Sequence, residues 1–149
     1  MRVAQMIDRV HLSGGAERLQ LTFAEALDPN EIALTVITLR ESLPECEAML
    51  RARGVRIVSF PAKRFADPRR ARAVLHFIRS ERFDVLHTHL IRSTILGGLA
   101  GELTGTPVVA TLHNAKDESG VGTALRIAEG WVLRRIAARV IESGTLLKT

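Results

Sequence analysis

The chain has 149 residues, 46% of them hydrophobic and 25% charged, the balance of an ordinary globular domain rather than of a disordered or fibrous segment. Cys46 is the only cysteine, which excludes a disulfide scaffold and four-ligand zinc ribbons and fits a reducing compartment. The formal charge is +5 and 18 of the 21 basic residues are arginine, so an anionic partner is expected.

Short runs rich in Val, Ile and Leu recur at 3–7, 33–39, 55–60, 85–88, 108–112 and 140–141, several of them nearly continuous, as strands buried on both faces are. Helical spacing lies between them. Leu19, Phe23, Ala26 and Leu27 follow the first strand, and Ala71, Val74, Leu75 and Ile78 precede the fourth. Ser42-Leu43-Pro44-Glu45 has the spacing of a capping box, with Gly54 as a stop, and Asp67-Pro68 offers an N-cap followed by proline in the first turn. Arg79 and Arg82 fall in the last turn of that helix, where cations suit the dipole. Strand and helix alternate throughout, so the expected fold is α/β, a single Rossmann-like, doubly wound parallel sheet in one domain spanning 1–149. No run approaches the roughly 18 apolar residues of a membrane span, and residues 1–8 lack the apolar core of a signal peptide. The expectation is a cytoplasmic protein not integral to a membrane.

Ligands of open parallel sheets bind outside the carboxyl ends of the strands, which directs attention to the loops after Ile7, Thr88 and Leu112. The first contains Ser13-Gly14-Gly15-Ala16-Glu17, paired glycines opening a helix whose free N–H groups suit an anion such as pyrophosphate; a tight turn alone also asks for such glycines. The loop is neither G-x-G-x-x-G nor G-x-x-x-x-G-K-[ST], which makes a dinucleotide-binding oxidoreductase domain the weaker alternative. In Asp84-Val85-Leu86-His87-Thr88-His89, alternation puts His87 and His89 on one face, with no third ligand placed by sequence to make a metal site. For His87 a structural, hydrogen-bonded role is expected. His113 closes the fifth strand and can exchange hydrogen bonds with a sugar hydroxyl; Asn114 and Lys116 follow it.

Together, the Gly14-Gly15-Ala16-Glu17 helix start, the D-V-L-H-x-H fourth strand and the Thr106-Pro107-Val108-Val109-Ala110-Thr111-Leu112-His113 fifth strand resemble the N-terminal domain of GT-B glycosyltransferases of the family-four type. Ala138-Arg139-Val140-Ile141 looks like that domain's sixth strand. The resemblance covers nearly the whole chain. It implies the acceptor-side half of a retaining, metal-independent enzyme that moves a sugar from a nucleotide-sugar donor to a sugar or lipid-linked acceptor, with no cofactor. By the same resemblance the backbone at Gly14 and Gly15, with Glu17, meets the donor phosphates and sugar, and His113 approaches the reaction centre as the catalytic candidate. His89 lines the acceptor side, as do Arg9, Arg92, Asn114 and Lys116 by loop position. Glu142-Ser143-Gly144-Thr145 departs from the family's serine-containing turn, and the second, nucleotide-binding domain with its E-x7-E motif is absent from the 149 residues. The expectation is a chain inactive alone, with a donor-domain partner chain as one way to complete it.

Charge is uneven. Between residues 51 and 82 there are ten basic residues against Asp67 and Glu81. Arg69, Arg72 and Arg79, with His76, lie along one side of the third helix, which suits either solvent or an anionic membrane surface. Nucleic acid is disfavoured because only 4% of residues are aromatic and tyrosine is missing. Gly97, Gly98 and Gly101 are expected to allow close packing against the sheet, and Cys46, between Glu45 and Glu47, is expected to be no nucleophile. A non-catalytic sugar or lipid-phosphate binding module remains an alternative.

Overall fold

Strands that are apolar along both faces need helices on both sides, and the structure, a computed structural model, supplies them. It describes residues 1–11, 15–112 and 122–136, with 15–17 by backbone alone. In chain order the elements are β1 (Arg2–Ile7), α1 (Gly15–Ala26), β2 (Ala33–Thr38), α2 (Pro44–Arg51), β3 (Arg56–Ser59), α3 (Pro68–Glu81), β4 (Val85–His89), α4 (Ile91–Thr104), β5 (Val108–Thr111) and α5 (Thr123–Ile136). The five strands form one parallel sheet in the order β3-β2-β1-β4-β5. The expected doubly wound fold is therefore present. The expected sixth strand at 140–141 lies outside the described residues.

Alternation along β1 divides the core. Ala4 and Met6 face α3, α4 and α5, where Val74, Ile78, Ile95 and Val132 pack. Val3 and Ile7 face α1 and α2, where Leu21, Cys46 and Leu50 pack. Each buried aliphatic side chain of this kind contributes roughly 1.5–3 kcal/mol against exposure. α4 comes close to the sheet because it lacks side chains where it crosses. A Cβ on Gly97 would stand 2.5 Å from Thr88 Cγ2, and one on Gly101 would collide with Val108. Gly98 serves a different neighbour, since its Cβ would collide with Val132 of α5.

Two of the expected helix starts behave differently. Asp67 caps α3, its Oδ1 accepting from the N–H groups of Arg69 (2.8 Å) and Arg70 (3.2 Å). Ser42 does not cap α2. The helix begins at Pro44, which makes Leu43 the capping residue, and Ser42 Oγ instead accepts from the Val10 N–H at 2.8 Å, tying the loop after β1 to the loop after β2. Proline at the first helical position shifts the frame by one residue and frees the serine. α2 stops as expected, with Gly54 at φ +79° and its N–H donating to Arg51.

Candidate functional site

In the order 3-2-1-4-5 the chain reverses its direction of travel across the sheet between β1 and β4, and the crevice beyond their carboxyl ends is where open α/β sheets hold ligands. Asp8 stands at its floor. Its main-chain oxygen accepts from the N–H groups of Leu39 (3.0 Å) and Arg40 (2.7 Å), which locks the end of β1 to the end of β2. Its carboxylate reaches across to α4 and takes the Arg92 guanidinium at 3.2 Å and the Ser93 hydroxyl at 3.5 Å. An acid at a helix N-terminus also suits the dipole. Between β4 and α4, Leu90 adopts φ 70°, ψ 157°, a region nearly reserved for glycine that costs about 1–3 kcal/mol. Such strain gathers at binding rims.

On the α1 side of the same edge, His87 Nε2 lies 2.7 Å from Thr111 Oγ1 and its ring meets the edge of Phe23 at 6.0 Å, the hydrogen-bonded structural role expected of it. His89 meets His87 with ring centroids 4.1 Å apart and planes tilted by 45°, and it is fully buried, so it lies beneath the rim instead of lining the acceptor side as expected. Gly15 is the first residue of α1. Gly14, His113, Asn114, Lys116 and the Glu17 side chain lie outside the described residues. Among the described residues no three His, Cys, Asp or Glu side chains converge as a metal-ligand set.

Arg9 and Arg92, both expected at the site, belong to the most charged part of this edge, whose other cations, Arg40, Lys63 and Arg70, were not anticipated. A cleft of about 400 Å³ opens between Asp8, Arg40, Lys63, Phe65, Arg70 and Arg92. A second, of about 490 Å³, continues from it along Arg40, Ala62 and Lys63 to Arg9 and Glu41. Arg70 is buried (8% exposed), held by the carbonyls of Leu39 (3.4 Å) and Phe65 and stacked over the Phe65 ring at 5.4 Å. Burial pushes its guanidinium below the ordinary arginine value, opposed by Asp67 and Asp8 and reinforced by Arg92. The signal was available: Arg40 follows β2 and Lys63 follows β3, and the carboxyl-edge rule applies to those loops as much as to the three singled out. Arg70 was hidden because it sits one residue out of phase with the exposed series Arg69, Arg72, His76 and Arg79, which the structure places in solvent. Cys46 is buried on α2, and burial first, then Glu45, pushes its thiol upward, as expected of a cysteine that is no nucleophile.

Fold and rim together define a Rossmann-type wall whose carboxyl edge carries a cationic cleft. Residues 14–145 match the family described as "Glycosyl transferase 4-like domain", and the chain belongs to that family. The Escherichia coli enzyme UDP-Gal:alpha-D-GlcNAc-diphosphoundecaprenol alpha-1,3-galactosyltransferase is 28% identical over 125 residues, covering 81% of this chain and 32% of its own. The chain thus spans about a third of the length of that relative. Among solved structures, Anabaena Alr3699/HepE in complex with UDP and glucose aligns with a TM-score of 0.70 at 16% identity, over 94% of this chain and 37% of the other. Acinetobacter baumannii MurG aligns at 0.62 and 14%, over 99% and 42%. These likenesses show the fold, a Rossmann-like α/β domain similar to those of GT-B glycosyltransferases.

Proposed function

We propose that these residues form the acceptor-binding half of a retaining glycosyltransferase that takes its sugar from a nucleotide-sugar donor. The observation that carries the reading is the crevice at the β1–β4 switch point, roofed by Arg92 and floored by Asp8, in a chain of the glycosyl transferase 4-like family. Support for the donor class comes from the relatives: one is named for UDP-galactose and another was solved with UDP and glucose. In this reading the backbone at Gly14 and Gly15 meets the donor phosphates at the start of α1. His113, following β5, approaches the transferred sugar, while Arg9, Arg92, Asn114 and Lys116 orient the acceptor. His89 acts as a positioning residue, keeping His87 and the rim in place.

Sugar transfer requires donor and acceptor to be held in attack geometry with water excluded, and positioning alone is worth about 7–11 kcal/mol of barrier. One wall cannot supply that. The 149-residue chain alone is therefore expected to be inactive, and to support turnover when a nucleotide-sugar-binding lobe faces it. The test is transfer of labelled sugar from a UDP-sugar to a glycosyl diphosphate lipid, with the chain alone and with such a lobe. Transfer at comparable rates by the chain alone would refute the half-site reading.

A further inference from the structure

The cleft beyond β2 and β3 holds more positive charge than its own carboxylates balance. Arg9, Arg40, Lys63, Arg70 and Arg92 line its two connected parts, against Asp8 and Glu41. The opposite edge of the same strands is treated otherwise: Arg2 of β1 and Arg56 of β3 are both held by Glu81, at 2.5 and 2.9 Å. Among the described residues the side chains of Arg9, Arg40 and Lys63 make no ion pair, and the ion pair of Asp8 is with Arg92. Arg70 is the informative member. It is more than nine-tenths buried, its Nε has no hydrogen-bond partner among the described residues, and none of their carboxylates lies within ion-pair distance of it. Asp67 and Asp8 act on it only from beyond contact and Arg92 opposes them, so the buried cation is incompletely compensated, and an anion entering the cleft lowers that cost.

We propose that this trough is a diphosphate-binding site. A single carboxylate neutralises too little of the cluster, and guanidinium groups match phosphate oxygens in pairs. The two parts share Arg40, Ala62 and Lys63, so their cations line one continuous trough with room for a diphosphate and a group attached to it. α3 and α4, which supply Arg70 and Arg92, pack on the sheet face opposite to α1, and neither part of the trough is lined by a described residue of α1. Resting on the acceptor-half reading, the inference names the acceptor's class: a glycosyl group carried on a diphosphate.

Calorimetric titration of the 149-residue chain tests it, with inorganic pyrophosphate, an isoprenyl diphosphate in neutral detergent and UDP as three arms. Binding of pyrophosphate that falls about ten-fold for each of Arg40→Gln and Lys63→Gln is expected. Arg51→Gln and Arg72→Gln, outside the cleft, should leave it unchanged. Isoprenyl diphosphate showing the same losses assigns the site to a lipid-linked acceptor; losses for pyrophosphate alone assign it to a free diphosphate. Both outcomes support the site. Absent pyrophosphate binding, or binding that Arg40→Gln and Lys63→Gln leave intact, overturns it, as does binding by UDP alone. Because the readout is binding, a positive result stands even if sugar transfer is never found. Conversely, transfer with an unchanged acceptor KM in the two variants rejects the diphosphate site and leaves the glycosyltransferase reading standing.

Discussion

Replacing Gly101 by alanine asks whether α4 rests on β5 as closely as the structure indicates. Alanine is favoured over glycine inside a helix by about 0.8–1 kcal/mol, which alone would stabilise the protein. At position 101 the new methyl collides with Val108 Cγ2 and stands 2.9 Å from the main-chain oxygen of Thr106. Val108 is 1% exposed, and the Thr106 carbonyl belongs to the backbone leading into β5, so neither yields without moving strand or helix. Overpacking of this kind costs about 1–3 kcal/mol, so the net expected change is a loss of up to about 2 kcal/mol and up to about 8 °C in Tm. Gly130 of α5 provides the opposite case, because the nearest atom to its added Cβ is Arg134 Nη1 at 4.0 Å. There the helix preference acts unopposed, and Gly130→Ala should raise Tm by about 2–4 °C. Thermal unfolding followed by circular dichroism measures both. Shifts of the same sign would refute the packing argument.

Asp67→Ala removes the cap of α3 and should lower stability by about 1 kcal/mol in urea, whereas Asp67→Asn, which caps equally well, should lose much less. Asp8→Asn weakens the hold on Arg92 and Ser93 and should cost about 1–3 kcal/mol of stability, yet raise pyrophosphate affinity by deleting a negative charge from the trough; calorimetry and denaturation on the same variant read the two signs. Cys46 has its thiol raised by burial, so the folded state favours the protonated form. Its contribution to stability is full below the unfolded value of about 8.5 and is lost as pH rises through the higher folded value. A thiol reagent at pH 8 should modify the unfolded chain quickly and the native chain slowly, and denaturation midpoints should fall in alkali more for the native cysteine than for Cys46→Ala.

The strands were legible because burial on both faces leaves unbroken Val, Ile and Leu runs that few other arrangements need. Their ends were less so: β4 continues to His89 and β2 stops at Thr38, since polar side chains at a carboxyl edge serve strand and loop equally well. α5 was not anticipated; its Thr123–Ile136 sequence mixes arginines with apolar residues, and only Val132 and Ile136 are fully committed to the core. The serine at 42 shows a local signature overruled by its neighbour, because Pro44 sets the helix start and leaves the hydroxyl to bind Val10. The cationic trough was legible only in part, through Arg9 and Arg92, and for a different reason. Its members come from β1, β2 and β3 loops, α3 and α4, and only the sheet order brings them to one edge. Arg70 in particular reads as one more arginine of a solvated helix until the fold turns it inward.

The most direct test of the account is a heteronuclear NMR titration of the isotopically labelled chain with a water-soluble glycosyl diphosphate. The acceptor-wall account predicts saturable shifts in the amides of Arg9, Arg40, Lys63 and Arg92 at the carboxyl edge of the sheet. Shifts confined to the opposite edge, around Arg2, Arg56 and Glu81, or no shifts at millimolar ligand, would contradict it.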